Sequence, residues 1–111
     1  NQLEVLRESL GQCDEIVLDA LLMRNRIVED IMLNKEANDI PILQPEQEAK
    51  QREWLNRRME GRRHKDEVSD VFECIRTNSK RIQARKLFDY NIVLIGFMGT
   101  VSPQFLISLR M

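Results

Sequence analysis

Arg24 occupies a position where an apolar residue belongs. Leu3, Leu10, Val17 and Ile31 carry a seven-residue spacing through it, and burying a guanidinium without a partner is costly. Something anionic should meet it there. Lys35 follows eleven residues later; at 100° per residue on a helix, the two cations point within about 20° of one another and lie about 16 Å apart along the axis. Ser79 and Gln83, four apart, follow Val68, Val71, Phe72 and Ile75 and precede Leu87 on an otherwise apolar face. Glu48 lies seven residues before Leu55 and shares its side of a helix, and Arg7 borders the stripe between Leu6 and Leu10. Such residues suit capture of an anion by side chains fixed on helices. On pattern alone two plainer roles stay open: an arginine in a stripe also suits an interface ion pair, and a Ser or Gln inside a bundle also suits a satisfied polar core.

Covalent and metal chemistry find little support in the same residues. No nucleophile has a histidine beside it, and the single histidine, His64, sits in the charged run GRRHKDE, where a solvated loop is the expected role. Cys13 and Cys74 have no paired spacing, so neither a zinc site nor a disulfide framework is expected. Both are expected to be reduced core residues.

The elements that must position these groups are helices. No glycine or proline falls between Gly11 and Pro41, and none between Gly61 and Gly96, so the breakers leave three helical stretches and a tail. The first is expected over residues 2–36, with Leu3, Leu6, Leu10, Cys13, Val17, Ala20, Ile27 and Ile31 at steps that suit a helical face. Asn38, Asp39, Ile40 and Pro41 close it, because the residue before a proline is pushed out of helical geometry. The second begins at Pro45, with Glu46 and Glu48 at its positive end, and reaches Gly61. The third runs from near Asp66 to about Asp89.

A chain of 111 residues is one domain with no room for a second. Its apolar fraction of 42% is rich in Leu, Ile, Val and Met while aromatics make up only 5%, which is the composition of helices packed on helices. Lys+Arg number 17 against 18 Asp+Glu, a net charge of −1, so nothing in the balance calls for nucleic acid or an anionic membrane. With no apolar run of about 18 residues and no leader pattern at its start, a cytoplasmic protein is expected. The first helix would be about 50 Å long, against a radius of gyration near ~13 Å for a compact domain of this size. Two shorter helices of the same chain cannot cover it. The expected architecture is therefore all-α: three-helix chains with a long first helix, intertwined as a homodimer about a twofold axis.

Taken together, these residues resemble the all-helical class of chorismate mutases, found alone or fused to other shikimate-pathway enzymes. The resemblance covers roughly residues 3 to 88. It opens on LRESLGQCDEIVLDALLMRN, where Arg7, Asp14 and Arg24 fall on the family's pattern, and continues at Lys35, then Glu48 after the loop. In FECIRTNSKRIQ it places Ser79 and Gln83 on the family's serine and glutamine. It implies rearrangement of chorismate to prephenate by a concerted [3,3] shift that needs no cofactor. Arg24 and Arg7, the latter from the partner chain, would clamp carboxylates; Lys35 and Gln83 would donate to the breaking ether oxygen. Glu48 would accept from the ring hydroxyl, Ser79 would help hold a carboxylate, and Asp14 would orient an arginine. The chain departs from the pattern at Gln47, where an arginine is expected, and at Gln44, where the family has an aspartate and the backbone amide would meet the substrate hydroxyl. An isochorismate pyruvate lyase of the same fold and a noncatalytic dimerisation or regulatory module are the rival readings.

The tail differs in kind. NIVLIGFMGT resembles the first strand and opening loop of shikimate kinases, but Val101, Ser102 and Pro103 stand where the phosphate-binding lysine and its neighbours belong. The expected division is a chorismate-mutase-like helical domain over residues 1–90 and a vestigial or truncated kinase-like tail over 91–111, with a strand-like run at 91–95.

Overall fold

The computed structural model describes the backbone of residues 1–95 and the side chains of residues 1–85. Three helices follow in order: α1 (Gln2–Ala37), α2 (Pro45–Arg58) and α3 (Lys65–Ile95). Among the described residues there is no strand.

Each helix begins and ends on local chemistry. The Asn1 side chain accepts from the Glu4 amide at 3.0 Å, and the Glu4 carboxylate takes the Asn1 amine at 3.4 Å, a reciprocal cap that occupies donors α1 cannot satisfy internally. At the other end Asn38 donates twice to the Asn34 carbonyl, from its backbone at 3.1 Å and its side chain at 2.8 Å. Asp39 then turns left-handed at φ 57°, a conformation its short polar side chain tolerates, and the chain leaves toward Pro41. Pro45 opens α2 with Glu46 and Glu48 in the first turn, and Arg57 and Arg58 sit in the last. Gly61, at φ 72°, supplies the reversal that a β-carbon would strain. The His64 carbonyl accepts from the Val68 amide at 3.0 Å to start α3, so His64 does lie in the exposed turn where it was expected.

α3 runs further than its apolar pattern suggested. It passes Asp89, near which its end was expected, and takes the strand-like run 91–95 as helix. Five apolar residues carry too little period to separate the two, and a strand there would need a neighbour to complete its hydrogen bonds. The remainder of the tail, from 96 onward, lies outside the described residues.

The shared core is small and sits at one end of α1. Val28 and Met32 pack with Ile42 and Leu55 as the buried apolar residues, and Met32 is fully enclosed. α1 lies chiefly against α3. α2 is fixed to α3 by Trp54, whose ring meets Phe72 edge-on at 6.2 Å and 72°, while the Arg58 guanidinium rides 5.5 Å over the Trp54 ring.

The rest of α1 is uncovered. At 1.5 Å per residue its 36 residues span about 54 Å, and all of its buried positions, Val28, Met32 and Lys35, lie in the final third. Leu3, Leu6, Leu10 and Val17 stay between 50% and 61% exposed. The same fact corrects the reading of the cysteines: Cys13 and Cys74 are both free, as expected, but exposed and not in the core. Cys13 belongs to the stripe that none of the described residues covers, and Cys74 stands on the outer side of α3. No helix among the described residues is long and apolar enough to cross a membrane.

Candidate active site

The polar residues on the inward faces meet beside that small core. A cavity of about 270 Å³ is lined by Arg24 and Lys35 from α1, Gln44, Gln47 and Glu48 from the start of α2, and Ser79 and Gln83 from α3. The eleven-residue step between Arg24 and Lys35 therefore does bring both cations to one space. Val28, Ile31 and Ile42 supply its apolar wall.

Lys35 is 8% exposed and its ammonium is held at two points: it donates to the Ile42 carbonyl at 2.9 Å and to Gln83 Oε1 at 2.8 Å. An ammonium has three N–H donors, so one is left for the cavity. The same contact orients Gln83. Because lysine only donates, it must face the amide oxygen, which turns the Gln83 NH₂ toward the open side. Burial pushes the Lys35 ammonium below the ordinary lysine range, and the Glu48 carboxylate offsets that in part.

Arg24 is held differently. Its guanidinium donates to Ser79 Oγ, and the Ser79 hydroxyl donates in turn to the Ile75 carbonyl at 2.9 Å. The one hydroxyl proton is thus engaged by the backbone, and Ser79 meets the site through Arg24. Burial, and after it the nearby Arg76 charge, both push the Arg24 guanidinium below its usual range.

Glu48 is the carboxylate of the cavity lining. It accepts from Lys80 at 2.9 Å, with Arg52 at 4.0 Å. Gln44 stands at the cap of α2, where its carbonyl accepts from the Gln47 and Glu48 amides at 3.0 and 3.1 Å. That pair of bonds fixes the first turn and so the direction in which Glu48 points.

Two expected residues lie elsewhere. Arg7 is exposed and precedes Arg24 by seventeen residues, about 25 Å along α1, so it does not reach its own chain's cavity. Asp14 is also exposed, and no arginine pairs with it among the described residues. Three polar lining residues escaped the pattern, Gln51, Arg76 and Lys80. Arg76 lies three residues before Ser79 and seven before Gln83, on one helical face, but that spacing alone does not set it apart from a solvated arginine. Its guanidinium donates to Glu73 at 2.7 Å, and Glu73 is shared with Arg52 at 2.6 Å. Those two partners, Arg52 first, hold the Glu73 carboxyl at about 2.

What this arrangement can do is hold an anion: cations from α1 and α3 line the cavity beside the hydrogen-bonded Lys35–Gln83 pair. Compared with known families, the chain matches the one described as chorismate mutase type II over residues 6–84. No curated protein and no solved structure gives a match.

Proposed function

The chain belongs to the chorismate mutase type II family, and from that premise we propose that the cavity between α1, α2 and α3 is where chorismate rearranges to prephenate. The enzyme is an isomerase whose reaction moves no proton, so the side chains need only select a reactive conformer and stabilise charge in flight. Lys35 carries this reading. Its ammonium is fixed by Ile42 and Gln83, which leaves a third donor and the Gln83 NH₂ for a ligand in the cavity that both residues line. An ether oxygen placed there gains negative charge as its bond to the ring breaks. Both donors then strengthen without any reorganisation.

The remaining roles follow from the contacts. Arg24, held by Ser79, takes a carboxylate of the substrate, which makes Ser79 a positioning residue. Glu48, paired with Lys80, accepts from the ring hydroxyl, and the Gln44 segment closes that end. Substrate binding also answers the charge pattern: among the described residues four cations and one carboxylate line the cavity, and chorismate is a dianion.

Arg7 enters only through a second copy. The bare stripe of α1 needs a cover of similar length, and the same helix of a partner chain provides it. The functional unit in this reading is an intertwined homodimer in which the partner's α1 brings its arginine to the cavity. Sedimentation of the chain at micromolar concentration should give a dimer, and a folded monomer there would reject the arrangement. Co-refolding inactive Arg7→Ala and Arg24→Ala chains in equal amounts should restore about a quarter of the parent rate, since half the dimers are mixed and each holds one intact site. No recovery would place Arg7 outside the site.

The pH profile tests Lys35 in the unmodified protein. Raising the pH through its lowered value removes the proton, and with it the charge and the third donor. The profile of kcat/KM, which reports the free enzyme, should therefore fall on the alkaline side before the ordinary lysine value of 10.5 is reached. A bound dianion favours the ammonium, so the fall in kcat should lie at higher pH. A profile of kcat/KM that stays flat to 10.5 contradicts the assignment.

A further inference from the structure

Arg76 has no place in the reading so far, yet it is among the most buried polar residues of the chain. Its side chain is 7% exposed, it lines the cavity, and its Nε has no hydrogen-bond partner. A buried guanidinium N–H without an acceptor carries a desolvation cost that a ligand would remove. Its one carboxylate partner, Glu73, lies outside the cavity lining, is about half exposed, and is shared with Arg52. Among the described lining residues the single carboxylate, Glu48, is already engaged by Lys80. Arg76 therefore stands close enough to Arg24 to disfavour its charge, with no carboxylate among the described lining residues left to separate them.

We infer that Arg76 is a substrate-binding residue: with Arg24 it forms a two-guanidinium subsite that takes one carboxylate of the chorismate dianion. The inference rests on the cavity being the mutase site. The two side chains come from different helices, Arg24 from α1 and Arg76 from α3, and Ser79 ties them into one frame by accepting from Arg24 one turn along from Arg76. A carboxylate between them gives Nε its acceptor and cancels a like-charge repulsion that the empty cavity leaves standing. It also supplies, at residue 76, positive charge in a cavity where position 47 holds a neutral glutamine. Lys35 and Gln83 are left for the reacting oxygen.

The test separates binding from scaffolding. Arg76→Gln should raise KM for chorismate at least ~10-fold and change kcat by less than about threefold, because a carboxylate is held alike in ground and transition states. Glu73→Gln removes the same ion pair from the other side and leaves the guanidinium in place, so its KM should stay within about threefold of the parent. Calorimetric binding of prephenate should weaken in parallel in the Arg76 variant alone. If Arg76→Gln fails to fold, Arg76→Met serves, since an apolar side chain suits a buried position whose partner Glu73 keeps Arg52, and the same rise in KM is expected. An unchanged KM in the folded Arg76 variant overturns the inference, as does an equal rise from Glu73→Gln, which would make Arg76 only the ion-pair anchor of α3. Arg24→Ala is the control for the site itself: if it too leaves KM and kcat unchanged, the cavity is not the mutase site, whereas a collapse with Arg24→Ala and none with Arg76→Gln rejects Arg76 alone.

Discussion

Gln83→Glu loses at least ~100-fold in kcat near neutral pH, and the loss shrinks as the pH falls. The expectation follows from how the amide is held. Lys35 donates to Gln83 Oε1 at 2.8 Å, which leaves the NH₂ as the group facing the cavity. An ionised carboxylate in that place has only acceptors, so it repels the oxygen that gains charge and also draws the Lys35 ammonium into an ion pair. The protonated acid keeps a carbonyl for Lys35 and offers an O–H where the N–H had been. Glutamate starts near a pKa of ~4.3; burial raises it, since Gln83 is enclosed, and the neighbouring ammonium lowers it. The direction of the profile is therefore fixed by the geometry. The parent enzyme should be much flatter over the same acidic range, because an amide does not titrate. A variant with the parent's rate and profile would show that Gln83 makes no contact with the reacting oxygen.

Lys35→Ala should lower kcat by ~100-fold or more, near 3 kcal/mol, while KM changes far less. The ammonium acts on charge that exists only in the transition state, so its removal leaves ground-state binding largely to the arginines. Its loss also strips a donor from the Ile42 carbonyl and from Gln83. Water entering the vacated space can satisfy both, so the helical fold should survive by circular dichroism. Arg24→Ala should cost a similar factor in kcat/KM, but with KM rising, because it holds a carboxylate throughout. The contrast between the two variants is itself the check. Unchanged turnover in either would break the site assignment, and an Arg24→Ala chain that forms a more stable dimer with no effect on the reaction would make Arg24 an interface ion pair.

The parts of this site set by helical period were legible in the residues alone. Arg24 and Lys35 share a face because eleven residues nearly complete three turns, and Ser79 and Gln83 share one because four residues complete about one turn. Proline and glycine positions placed the helix ends to within a few residues. Arg76 was not legible for a different reason. In a chain that is 32% charged, one more arginine on a helix looks like solvated surface, and only the crossing of α3 over α1 shows that this one points inward. The cysteines were misplaced by the opposite error: Cys13 follows the apolar stripe faithfully, but the stripe has no cover among the described residues. The run 91–95 failed because it is short, and local composition cannot choose between helix and strand over five residues.

The most direct test of the central claim is a crystal structure of the chain with prephenate bound. The former ether oxygen is the ketone oxygen of that product, so it should lie within hydrogen-bond distance of Lys35 Nζ and the Gln83 amide nitrogen, with one carboxylate between Arg24 and Arg76 and the ring hydroxyl at Glu48. Prephenate bound outside the cavity formed by α1, α2 and α3, or inside it with no oxygen near Lys35, would contradict the account.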